Sequence, residues 1–329
     1  MKKATLSPAL VLFLLSPLVA ELLSGSSPPS QFFSPLLLIL LLALYGSGAL
    51  ICRELTLRWA KGWPSLLILG AAFAIVVEGL MAKSFFDPYW TDVGTLGSYG
   101  RWLGINWVWT VQMIFFHALF SIGIPVLITN VLFPQHRNEA WVSPRTFNWL
   151  AGILLAATIA GCLFFNLYQP GLGLYIIALL IVAILVLIAR YLPARMQDIM
   201  TIRETSLAAP YVFGALGFVA TLAFFLINSL LPLTPIPAIV TIICVIALAS
   251  YVLRNILAMS GNGSRWGAEH QIALATGALL LLVLRAPLLE WFPGMRNTAG
   301  MTLVAVIATL GLILMGWWVR IRLHSQNRI

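Results

Sequence analysis

Glu78 and His117 are the residues of this chain best suited to chemistry. Each lies inside a long apolar run. An ionisable side chain at the centre of a membrane-spanning helix costs ~2.5–3.5 kcal/mol on insertion scales, so each calls for a partner or a function. A carboxylate beside an imidazole can share a proton, orient a water as general base or, with a further carboxylate, hold a divalent metal. At a rise of ~1.5 Å per residue, Glu78 lies ~12 Å below Phe86 and His117 ~16 Å below Asn106, so adjacent antiparallel helices would bring them to similar depth. Lys83 follows about one and a half turns above Glu78, and Glu21 stands one turn from the end of the first run. Glu78, His117, Lys83 and Glu21 form the expected catalytic group. Asp87, Trp90, Asp92, Arg101, Asn106 and Gln112 are expected to bind substrate around it, and Arg285 either pairs with Glu290 or offers the pocket an anion contact. The run SGSSPP from residue 24 adds small hydroxyls and turn-forming prolines beside Glu21. The competing reading is a structural network in which Glu78, Lys83 and His117 only satisfy one another. No metal is expected, because there is no H-E-x-x-H or similar pair of ligands on one helix face, and no cofactor is expected either.

Such residues need helices to hold them. With 61% hydrophobic and 9% charged residues, the 329-residue chain falls in the membrane class, and a soluble fold is excluded. Apolar runs predict spans near 6 to 23, 34 to 52, 64 to 86, 106 to 133, 148 to 168, 172 to 192, 208 to 231, 236 to 258, 268 to 289 and 300 to 319. The expected fold is all-α, a polytopic transmembrane bundle of about ten spans. The connections are mostly short and no linker divides the chain, so residues 1–329 read as one integral membrane domain. Polar residues concentrate in a site-bearing half, 1–133, and a scaffold half follows over 148–320.

Orientation follows from Lys and Arg. Lys2, Lys3, Arg53, Arg58, Lys61, Arg137, Arg145, Arg190, Arg195, Arg203, Arg254, Arg265, Arg320, Arg322 and Arg328 fall on one side of ten spans, leaving Lys83, Arg101, Arg285 and Arg296 for the other. The excess marks the cytoplasmic side, with both termini there and the candidate pocket opening away from it. The net charge of +9 is then a matter of topology and of contact with membrane lipids, not of nucleic acid. The first run is either a retained span or a signal peptide, and its length with Pro8 and Pro17 favours retention. Cys52, Cys162 and Cys244 lie in apolar runs without C-x-x-C spacing and read as packing residues. The connection 87–105 carries Trp90, Tyr99, Trp102 and four glycines, which suits either an interfacial loop with aromatic anchors or a lid touching substrate.

The run Glu78, Gly79, Leu80, Met81, Ala82, Lys83, with Met113-x-x-x-His117 on the next span, resembles the CAAX-type and bacteriocin-processing glutamic intramembrane proteases. That family carries Glu-Glu-x-x-x-Arg and Phe-x-x-x-His. The resemblance covers about forty residues and implies that Glu78 matches the first glutamate and His117 the histidine that positions water. Gly79, Lys83 and Met113 stand where the family has Glu, Arg and Phe, and its third motif, His-x-x-x-Asn or Asp, has no counterpart. The segments PLVAELLSGSSPP, RELTLRW, FFDPYW and YGRWLGINWVW resemble uncharacterised bacterial multi-pass membrane proteins, which implies a bacterial plasma membrane.

Three functions compete at this level. One is an intramembrane hydrolase or transferase acting on a membrane-embedded or lipid-linked substrate, with Glu78 as base, His117 as proton partner, and Lys83 or Arg101 stabilising negative charge. Another is a proton-coupled transporter of a small solute, which requires the site to reach both faces. The third is a non-catalytic assembly factor in which Glu78 and His117 are structural. Residue types alone do not decide whether the chain is an enzyme, and they leave the substrate open.

Overall fold

In a computed structural model the chain is an all-α polytopic bundle. Residues 6–194, 206–261, 263–292 and 297–326 are described; Lys2, Lys3, Arg195, Arg203, Arg296 and Arg328 of the charge pattern lie outside them. Ten apolar helices follow one another: α1 Pro8–Leu23, α2 Pro35–Arg58, α3 Trp63–Met81, α4 Trp107–Leu132, α5 Pro144–Phe164, α6 Leu172–Tyr191, α7 Pro210–Leu233, α8 Ala238–Met259, α9 Ala268–Trp291 and α10 Met301–Gln326. Prolines at the first turns of α1, α2, α3, α5 and α7 start helices where a backbone N–H would lack a partner anyway. Among the described residues, α2 to α10 are long and apolar enough to cross a bilayer, while α1 is shorter.

The shortness of α1 has a structural reason. Its last turn carries Glu21, which contacts Tyr45, and Tyr45 lies roughly 15 Å along α2 from Pro35 at the helical rise. The helix therefore stops well inside the bundle. Ser24, Ser27 and Pro28 of the following turn are buried there, and the short helix Pro29–Phe32 leads back toward the start of α2.

The two ends of the bundle differ in composition. At one end Arg53 donates to the His136 and Arg137 carbonyls, Arg58 to that of Val142, Lys61 to that of Leu192, and Arg322 to that of Leu132. The opposite end gathers Asp87, Arg101, Asn166, Tyr99 and the Ile236 carbonyl. Burial separates core from lipid-facing helices: 78% of the most apolar stretch of α3 is buried, against 11% for α6, α8 and α10. Small residues permit the closest approaches. A Cβ on Gly277 would stand 1.9 Å from the Gly214 carbonyl oxygen, so α7 and α9 pack backbone to backbone.

Helix α3 ends earlier than its apolar run, at Met81 rather than near residue 86. Lys83 adopts the left-handed region, φ 60°, and turns the chain. The connection 87–105 then forms a 3-10 turn, Thr91–Leu96, and a two-residue antiparallel ladder in which Arg101 pairs with Asn106 and Trp102 with Ile105.

Candidate functional site

Glu78 and His117 meet. Side chains on a helix lean toward its N-terminus, so on antiparallel α3 and α4 Glu78 leans back along α3 while His117 leans the opposite way. Gly70 allows the two helices to close, since a Cβ there would lie 2.8 Å from the Ala118 Cα. The result is a 3.0 Å contact between His117 Nε2 and Glu78 Oε1. His117 Nδ1 faces Ser121 Oγ at 2.8 Å. That hydroxyl has no other acceptor, so it donates to Nδ1 and leaves the ring proton on Nε2, directed at the carboxylate. The other Glu78 oxygen accepts from Ser84 Oγ, which itself accepts from Trp109 Nε1 at 3.0 Å. Both ends of the pair are thereby oriented.

Ser121, His117 and Glu78 have the connectivity of a nucleophile, base and orienting acid. Ser121 is nevertheless fully buried and no part of the cavity wall, so its role is to hold the imidazole. Its carbonyl accepts from Ser16 Oγ at 2.7 Å, which ties α1 to α4.

Glu21 supplies a second carboxylate to the same space. One oxygen accepts from Ser27 Oγ at 2.7 Å and the other from Tyr45 Oη. The Tyr45 ring stacks on His117 with centroids 5.8 Å apart, and Phe73 and Phe116 meet the imidazole edge-on. Glu21 lies within electrostatic reach of both His117 and Glu78. Four residues from four helices thus converge, and all four lie in π-helical turns: Glu21 in Leu18–Leu23, Tyr45 in Leu42–Gly46, Glu78 in Ile75–Met81 and His117 in His117–Gly123. Such turns are rare and are frequent at functional sites.

Glu21, Tyr45, Glu78 and His117 line a cavity of about 540 Å³. Trp90, Asp92, Gln112 and Arg285 line it too; Asp92 is exposed. The apolar part of the cavity wall comes from Leu37, Leu40 and Leu41 of α2, Phe116 of α4 and Phe225 and Leu233 of α7. The later helices, α7 and α9, therefore contribute to the site as well as to the scaffold. Trp90, Asp92, Val93, Gly94 and Leu96 of the connection lie along the lumen. Gln112 Oε1, Asn228 Oδ1 and Trp90 Nε1 are buried in lining residues and have no hydrogen-bond partner. Each such atom costs about 1–3 kcal/mol, so their gathering around one cavity marks a place for a polar occupant.

The remaining expected residues are engaged elsewhere. Lys83 is fully buried but directs Nζ to the carbonyls of Cys162, at 2.7 Å, and Asn166. It closes the C-terminal end of α5, where a cation meets unpaired carbonyls, and not the Glu78 site. Arg101 donates to the Phe86, Asp87, Gly97 and Gly104 carbonyls and holds the connection in shape. Asp87 accepts from Asn166, and Asn106 caps α4 through the Trp109 N–H. None of these four lines the cavity. The expected pairing of Arg285 with Glu290 is also absent: Glu290 accepts from the Gly300 and Thr302 N–H groups, while Arg285 turns to the Ser24 carbonyl at 3.1 Å. Among the described residues, the cavity's Lys or Arg is thus Arg285.

Tyr45, Ser84, Ser121 and Asn228 are neighbours of the candidate site that residue-by-residue reading passes over. A signal did exist for three of the π turns, each of which holds a glycine near the polar residue within an apolar run: Gly46, Gly79 and Gly123. Among the described residues no group of three His, Cys, Asp or Glu side chains is placed to hold a metal ion.

No curated protein and no solved structure matches the chain. A family model spans residues 10–324, nearly the whole sequence and every helix of the site, and by that match the chain belongs to an uncharacterized membrane protein family.

Proposed function

We propose that this multi-pass membrane protein is an intramembrane hydrolase, or a transferase of the same chemistry, acting on an amphiphilic or lipid-linked substrate in a bacterial plasma membrane. The observation that carries the reading is the Glu78–His117 contact at 3.0 Å, with Glu21 and Tyr45 beside it, on a cavity whose wall is part polar and part apolar. Glu78 removes a proton from water as the water oxygen bonds to the electrophilic centre. The bond to the leaving group breaks, and the proton returns through Glu78 to that group. The His117 Nε2–H holds the Glu78 carboxylate in place before it takes the proton and again after it has given the proton up. In transfer, an acceptor hydroxyl takes the place of water.

Transport gains less support. Ser16, Ser121, Leu44 and Ile122 beside the pair are at most 1% exposed, a packed layer next to it. The test is reconstitution into liposomes of bacterial lipid extract, with mass spectrometry of the lipids and proton flux recorded in parallel. Glu78→Gln should lower product formation ~10²–10⁴-fold. Product formation unchanged in E78Q, or proton flux that depends on Glu78 without any product, overturns the proposal.

A further inference from the structure

The cavity's unpaired groups divide by chemistry. The donors are Arg285 and Trp90. Arg285 has no carboxylate partner among the described residues and gives one N–H to the Ser24 carbonyl, leaving most of its guanidinium fork unused. Trp90 Nε1 has no acceptor. The acceptors are Gln112 Oε1 and Asn228 Oδ1, both unpartnered; beside them the carboxylates of Glu21 and Glu78, whose oxygens already have partners, supply negative charge. Asn228 Nδ2 is fixed on the Phe224 carbonyl at 2.8 Å, so its oxygen is the end left over.

A simple anion would gain at Arg285 and be repelled by the carboxylates, while a simple cation would meet the reverse. A headgroup carrying both charges satisfies both sets. Arg285 and Glu21 are tied to one buried turn, Arg285 through the carbonyl of Ser24 and Glu21 through the hydroxyl of Ser27. From this division we infer that the cavity binds a zwitterionic phosphate–ammonium headgroup, with the phosphate on Arg285 and Trp90 and the ammonium among Glu21, Gln112 and Asn228. Arginine suits the phosphate, whose oxygens match its planar fork. The apolar walls of Leu37, Leu40, Phe116 and Phe225, with Leu233 exposed at the mouth, place this headgroup on a lipid and not on a soluble ester. The inference rests on the proposed function only in taking this cavity as the site, and binding tests it apart from turnover.

The experiment is native mass spectrometry of the full chain in nonionic detergent with phosphatidylethanolamine, phosphatidylglycerol, diacylglycerol and soluble glycerophosphoethanolamine, each at equal concentration. Phosphatidylethanolamine should bind best. Arg285→Gln should weaken it about tenfold or more, as expected for losing a charged hydrogen-bonding partner. Glu21→Gln should remove its advantage over phosphatidylglycerol. Asn228→Leu, which keeps every charge, should reduce the same preference and serves if R285Q does not fold. Equal binding of the three lipids, a phosphatidylethanolamine preference that survives R285Q or N228L, or stronger binding of phosphatidylglycerol overturns the inference. Binding of glycerophosphoethanolamine without the lipid overturns the assignment to a membrane substrate. A headgroup preference without any turnover in E78-intact protein would remove the enzymatic reading and keep this one; turnover without the preference would do the reverse.

Discussion

Replacing Lys83 by Met separates structure from chemistry at a residue that sequence alone places in the catalytic group. Met fills nearly the same length and carries the same Cβ, so the cost of the left-handed backbone at φ 60° is shared by both proteins. What changes is the ammonium, which donates to the Cys162 and Asn166 carbonyls from a fully buried position. Hydrogen bonds to charged groups are worth about 1.5–3 kcal/mol each, and the carbonyls left behind lose their partner. Against this stands relief from burying a charge, together with the apolar contacts of Met. The net loss expected is about 2–4 kcal/mol, or roughly 4–8 °C in apparent Tm at ~2 °C per kcal/mol for a chain this long. Thermal unfolding in detergent measures it, and lipid binding below the transition should match the parent protein. A K83M protein with unchanged Tm and abolished binding or turnover would return Lys83 to the site and refute the assignment to the end of α5.

Three other substitutions follow the same logic. Ser121→Ala frees His117 Nδ1 from its 2.8 Å contact and should lower turnover about tenfold while costing only ~1 kcal/mol of stability; product assays beside melting curves check the split. Gly70→Val drives a branched side chain into Ala118, whose Cα would be 2.8 Å from the new Cβ. It should cost about 1–3 kcal/mol and reduce turnover by parting Glu78 from His117, so a variant as active and stable as the parent would disprove the close-approach argument. At the basic end, Glu54 is fully buried and accepts from Arg53 at 2.7 Å and from the Trp141 N–H at 2.9 Å. Glu54→Ala strands Arg53 under the Trp141 ring and should destabilise the fold by about 3–5 kcal/mol, read by thermal unfolding.

The helices were legible because bilayer thickness imposes long apolar runs, and the starts at Pro35, Pro144 and Pro210 carry their own signal. The end of α3 was not, since Phe85 and Phe86 continue the apolar pattern while a single left-handed residue, Lys83, breaks the helix. Glu78 and His117 were legible as a pair because each is costly in lipid and their depths agree. Lys83 misled for the same reason: depth shows that a charge needs a partner, and does not say that the partner is the carbonyl end of another helix. Arg285 and Asn228 join the cavity through contacts between distant parts of the chain, which no local spacing encodes. Tyr45 escaped notice because an aromatic residue in an apolar run looks like packing until its hydroxyl is seen on Glu21.

The π turns give each of the first four helices one extra residue's worth of winding at the level where its functional side chain emerges. Residues on either side of such a turn are re-phased by about 100°, the angle one residue subtends in an α-helix. One-residue deletions in these segments would therefore behave unlike substitutions. They would restore regular winding, keep the helix apolar and membrane-compatible, and rotate Glu21, Tyr45, Glu78 or His117 off the cavity face. Site and span are in this sense encoded separately, the span by composition and the site by a local count of residues, so that insertion into the membrane and loss of the site can coexist in one well-assembled chain.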